Sequence, residues 1–93
     1  MKICVATQKN AVYLKWKRPE NTGDSIIEEY NVQWRLGAER LWSSKDVVTV
    51  NAIVDDLKVN EFYLFRVRAR TRRGYGEWSD IMGEKTLKNK GNF

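Results

Sequence analysis

The chain has 93 residues, enough for one compact domain and too few for two. Hydrophobic residues make up 42% of it, with four Trp, four Tyr and three Phe, which excludes a disordered polymer and supplies one core. The net charge of +5 favours acidic partners such as anionic protein faces or sulfated glycans, but lacks the dense basic stripe that nucleic-acid binding draws on.

The elements read in chain order are strands. A first, weakly marked strand is expected near Ile3 to Thr7. Val12, Leu14 and Trp16 then alternate with Tyr13, Lys15 and Lys17, the period of a half-buried strand. Pro19 ends that run, and Glu20 to Ser25, with Asn21, Gly23 and Asp24, reads as a turn. Tyr30, Val32 and Trp34 alternate with Asn31, Gln33 and Arg35 up to Gly37. A short edge segment is expected at Leu41 to Ser44, followed by an alternating run through Val48, Val50, Ala52 and Val54.

Asp55 to Phe62 reads as a crossover between strands rather than a helix. Tyr63, Phe65, Val67 and Ala69 then share one strand face, and Leu64, Arg66, Arg68 and Arg70 the other. Arg72 to Gly76 forms a glycine-bearing turn, and a last strand is expected from about Trp78 to Thr86. No stretch carries helical periodicity. About seven short strands with turns between them predict a single all-β sandwich over residues 1–86, with 87–93 a flexible tail or the start of a linker.

Chemistry is thinly represented. There is no His, and the single Cys4 has no partner for an internal disulfide, a metal cluster or nucleophile activation. Free cysteines are commonly buried, so Cys4 is expected inside, the other use being a bond to another chain. Glu28-Glu29 and Asp55-Asp56 are adjacent pairs whose members a strand turns to opposite faces, which disfavours paired-carboxylate catalysis. No phosphate-cradling loop or metal-ligand spacing occurs, and no apolar run reaches the ~20 residues of a membrane span. The apolar stretch at the N-terminus is too short for a signal peptide. No enzyme activity, cofactor, metal, nucleic-acid partner or membrane insertion is expected.

Three groups remain as candidates for contact with a partner. Arg66, Arg68 and Arg70 recur about 6.5–7 Å apart on one strand face, where Trp78 from the next strand could stack on them. Glu29 or Glu77 could balance their charge. Arg72, Arg73 and Tyr75 crowd an exposed turn and are of the types enriched at binding hot spots. Trp42, beside Arg40 and Leu41 on a short edge, could stay partly exposed or cap Arg35. Lys15, Lys17 and Arg18 form a smaller basic group, read as a solvated strand face.

Taken together, Trp16 after Val12 and Leu14, Tyr30-x-Val32-x-Trp34, Leu57 six residues before Tyr63, the run Tyr63 to Ala69, and Gly74-Tyr75-Gly76 with Ser79 resemble a fibronectin type III domain across Ile3 to Thr86. That resemblance implies a seven-stranded immunoglobulin-like sandwich with Trp16, Tyr30, Val32, Leu57, Tyr63 and Val67 in its core, Tyr63 forming a tyrosine corner. It also implies a protein-binding or spacer repeat in the extracellular part of a cell-surface receptor or adhesion protein. The alternatives are a repeat of an intracellular muscle-type scaffold or a module that binds sulfated glycosaminoglycan. Arg68 to Thr71 followed by Gly74-Tyr75-Gly76 is similar to repeats of Eph-type receptor tyrosine kinases, and Trp78-Ser79 to the first half of the cytokine-receptor Trp-Ser box. The crossover Leu57 to Glu61 lacks the Pro-Gly common in the family, and no Arg-Gly-Asp occurs.

Overall fold

The computed structural model describes residues 2–19 and 26–87; the turn expected at Glu20 to Ser25 and the tail from Lys88 lie outside them. Among the described residues eight strands form in the order β1 (Ile3–Thr7), β2 (Val12–Trp16), β3 (Ile27–Leu36), β4 (Ser43–Val47), β5 (Asn51–Val54), β6 (Phe62–Thr71), β7 (Gly74–Tyr75) and β8 (Met82–Lys85). Two antiparallel sheets result, β1-β2-β5 and β4-β3-β6-β7, with β8 also paired to β6. β7 and β8 are two pieces of one final strand, so the seven-stranded sandwich expected from the alternation is the fold observed.

The alternation sets the core. Val12, Leu14 and Trp16 of one sheet meet Tyr30, Val32, Phe65 and Val67 of the other, and Leu57 and Tyr63 close one end. Each fully buried apolar side chain contributes about 1.5–3 kcal/mol, so the packing between sheets carries the fold without a disulfide. Trp16 and Tyr30 meet edge to face, with ring centroids 5.3 Å apart.

Four expectations are corrected. β1 turns Ile3 and Val5 inward, so Cys4 between them faces solvent opposite Lys15 rather than the core. Leu41 and Trp42 precede β4, which begins at Ser43. The run through Val48 is broken because residues 48–50 carry the chain from one sheet to the other; Val48 is exposed and β5 starts at Asn51. The last strand does not run unbroken from near Trp78: it opens as β7 at Gly74–Tyr75, is interrupted around Trp78, and resumes as β8 at Met82.

The crossover is held by Tyr63, whose hydroxyl accepts a 2.9 Å bond from the Lys58 N–H. Asp56 and Asn60 take left-handed φ values of 57° and 55°. Short polar side chains tolerate that region, so Asn60 makes the turn without a glycine. Thr86 completes the crossover: its hydroxyl donates to Lys58 O at 2.6 Å and accepts from Glu61 N–H at 2.9 Å. Leu87 N–H donates to Gln8 O, and Leu87 O accepts from Asn60 N–H.

Tyr63→Phe leaves the Lys58 N–H without its acceptor and is expected to cost about 1–2 kcal/mol in urea unfolding, with an unchanged m-value. Phe62 lies over Gly83, where a Cβ would stand 2.4 Å from the ring Cζ. Gly83→Ala should therefore destabilise the wild type. In a Phe62→Ala background the same change should stabilise by about 0.5 kcal/mol, because only the entropy gain remains.

Candidate functional site

The long pairing of β3 with β6 builds the outward face of the larger sheet. Its register places Gln33 opposite Arg66, Asn31 opposite Arg68 and Glu29 opposite Arg70. Each arginine is held by the residue across from it. Gln33 Oε1 accepts from Nε and Nη2 of Arg66 at 3.0 and 2.7 Å. Asn31 Oδ1 accepts from Arg68 Nε at 3.1 Å, while its amide donates to Ser44 and Asp46 of β4. Arg70 pairs with Glu29 at 3.1 Å and with Glu28 at 3.9 Å.

A bulge makes that double pairing possible. Between Ile27 and Glu29 the strand takes two steps against the single step from Thr71 to Arg70. The expectation that Glu28 and Glu29 point to opposite faces fails there, because the extra residue lets both approach one guanidinium.

Aromatic rings interleave with the arginines. Trp42 lies 4.0 Å from Arg66, Arg66 lies 4.0 Å from Trp78, Trp78 lies 4.2 Å from Arg68, and Arg68 lies 3.6 Å from Tyr75, measured from guanidinium carbon to ring centroid. Arg35 also stands over Trp42, at 5.0 Å. Rings and cations thus alternate in one ladder across the sheet.

Trp78 reaches its place through an irregularity in the final strand. From Tyr75 to Met82 the chain takes seven steps, while its partner takes five from Arg70 to Phe65. The surplus turns Trp78 out over the arginines and Ser79 inward. Ser79 Oγ accepts the Val67 N–H at 2.9 Å and donates to Asp80 O, so the backbone group released by the irregularity stays satisfied.

The charges on this face are unevenly matched. Arg70 has its carboxylates, and the hydrogen bond and charge of Glu29 hold its pKa above the ordinary value. Among the described residues Arg66 hydrogen-bonds to a neutral amide and has no carboxylate partner, and burial, then the charges of Arg68 and Arg35, push its pKa below the usual arginine value. Glu77, the other expected counter-charge, makes no ion pair among the described residues. Burial likewise raises the phenol of Tyr30, against the opposing charge of Arg18.

Arg72 and Arg73 form the tip of a two-residue hairpin closed by Thr71 opposite Gly74. Gly74 has φ 119°, a region closed to side-chain-bearing residues. Thr71 Oγ1 accepts from the Arg73 N–H, and both arginines are exposed without an ion pair among the described residues. The structure therefore gathers Arg66, Arg68, Tyr75, Trp78 and Trp42 into one ladder, ties Arg70 to glutamates at its end, and leaves Arg72 and Arg73 projecting beyond it. Sequence reasoning placed Tyr75 in the exposed turn and did not foresee it stacked on Arg68, and it passed over Asn31 and Gln33 as the holders of Arg68 and Arg66. Their outward alternation on β3 was the available signal; the register that aims them was not.

A model of the family described as Fibronectin type III domain matches residues 1–84. The chain belongs to that family. It is 30% identical over 91 residues to the sortilin-related receptor of Mus musculus, covering 97% of this chain and 4% of that protein. It is 31% identical over 81 residues to ephrin type-A receptor 7 of Gallus gallus, covering 85% of this chain and 8% of that one. A solved structure of titin domains A168–A170 superposes with a TM-score of 0.85 at 23% identity, over 94% of this chain and 31% of that one, a likeness of fold alone. This fibronectin type III domain thus spans a small fraction of the receptors it matches.

Trp78→Ala removes two cation–π contacts and is expected to lower unfolding free energy by about 1–2 kcal/mol. Wild-type stability in that variant would show that the stacking contributes nothing.

Proposed function

We propose that the domain is a non-catalytic binding and spacer repeat of a cell-surface receptor, presenting the Arg72–Tyr75 hairpin and the adjoining ladder face to a protein partner or a neighbouring domain. The observation that carries this reading is the hairpin: its two tip arginines are exposed and uncompensated, and its base is clamped where Tyr75 stacks on Arg68. A rigid base lowers the ordering cost of contact, and exposed arginine beside tyrosine is the chemistry of interface hot spots. That its relatives include the sortilin-related receptor and ephrin type-A receptor 7 favours a place in an extracellular region. A sulfated glycosaminoglycan is a second candidate ligand, because Arg35, Arg66 and Arg68 have no carboxylate partner among the described residues.

The test is binding of the tetramerised domain to intact cells, read by flow cytometry. The Arg72→Ser/Arg73→Ser/Tyr75→Ser variant should lose most of the signal, and heparinase treatment of the cells should leave wild-type binding in place. Undiminished binding of the variant would remove the hairpin as the contact. Loss of wild-type binding after heparinase would assign the contact to the glycan instead.

A further inference from the structure

The outward face of the three-stranded sheet is built from residues to which the ladder and hairpin give no role. Its register sets Cys4 opposite Lys15 and Lys15 opposite Asn51, then Ala6 opposite Tyr13 and Tyr13 opposite Ile53. Ile3 opposite Trp16 turns inward, which leaves Lys2 and Lys17 flanking them at the end of the same face. Successive rungs stand about 6.5–7 Å apart, the two-residue repeat of a strand. Two shallow depressions run into one another here, sharing Cys4 and Lys15.

The two ends differ in chemistry. At one end Lys2, Lys15, Lys17 and Arg18 line the surface, and among the described residues no Asp or Glu lines either depression. None of these four cations makes an ion pair among the described residues. At the other end Tyr13 and Ile53 are 47% and 53% exposed with Ala6 beside them. Lys45, reaching from β4, donates its ammonium to the Ile53 carbonyl at the sheet edge; along the face itself, cationic and apolar side chains lie end to end in the strand direction.

We propose that this face docks an extended peptide segment of a partner protein, carrying carboxylates at alternate positions followed by aliphatic side chains. Side chains on one side of an extended peptide recur at the spacing of these rungs, so two acidic residues would meet the Lys2–Lys17 and Lys15 rungs while an aliphatic one covers Tyr13 and Ile53. A sulfated glycan carries anions along its whole length and would lay charge over the apolar end. A membrane asks for cations around an apolar centre, not at one end of it. The docking face is on the sheet opposite the ladder, so it is independent of the hairpin contact.

Cys4 is the single cysteine, exposed where the two ends join, and its alkylation by the neutral reagent N-ethylmaleimide reports occupancy. The probe is the blocked peptide Glu-Ser-Glu-Ser-Leu-Ser-Leu-Ser, titrated to about 1 mM at low salt, the range of a weak single-site contact. Saturable slowing of alkylation is expected, weakened about tenfold in the exposed Lys15→Glu/Lys17→Glu variant and lost when Gln replaces Glu in the peptide. The Arg72→Ser/Arg73→Ser/Tyr75→Ser variant should protect Cys4 as the wild type does. Absence of protection, or equal protection by the Gln peptide or by one with Ser in place of Leu, would overturn the proposal. Stronger protection by a heparin oligosaccharide or by phosphatidylserine vesicles would overturn it in favour of those ligands.

Discussion

The pairing of β3 with β6 is the constraint on which the rest of this domain depends. One register, running from Glu29 opposite Arg70 to Leu36 opposite Tyr63, sets both faces of the larger sheet at once. Inward it stacks Tyr30, Val32, Val67 and Phe65 against the other sheet. Outward it aligns Gln33, Asn31 and Glu29 with the three arginines of β6. A slip of one residue would send the arginines into the core and the apolar set into water, so burial on the inner face enforces the register that the outer face uses.

The outer face shows how a row of like charges can be built into a sheet. Arg66 and Arg68 repel one another, and the lowered pKa of Arg66 records burial and that repulsion acting together. Carboxylates do not offset it, since the residues opposite are amides. The rings do: four cation–π contacts link Trp42, Trp78 and Tyr75 to the two arginines, each contributing about 0.5–1 kcal/mol when exposed and more when desolvated. An exposed ion pair contributes about as little and is weakened further by salt, so interleaved rings stabilise this row at least as well as carboxylates would while leaving its positive charge uncancelled.

The two outer faces consequently differ in kind. On the larger sheet the side chains bond mainly to one another, and free polar capacity is concentrated at the hairpin tip. On the smaller sheet the lysines, Cys4, Tyr13 and Ile53 stand next to each other without such bonds between their side chains among the described residues. The first face is rigid with a projecting contact; the second is an open surface whose charge is answered by nothing in the described chain.

Much of this was legible in the residues themselves. Period-two alternation requires strands, and five of the buried positions that anchor the core, Trp16, Tyr30, Val32, Tyr63 and Val67, stand at its inward phase. Leu57 with Tyr63 announced the crossover that the Tyr63 hydroxyl now closes. Alternation names the face of a side chain but not its neighbour, because the neighbour depends on strand order, register and bulges. Cys4 turned outward because Ile3 and Val5 take the inward phase of a strand too short to show its period clearly. The irregular step that frees Trp78 from the ladder of backbone bonds, and the bulge that brings Glu28 and Glu29 to one arginine, are departures from periodicity. The sequence by itself determined a β-sandwich with arginine on one outer face; only the tertiary structure decided which rings, amides and carboxylates those arginines meet, since contacts between residues far apart in the chain are set by register.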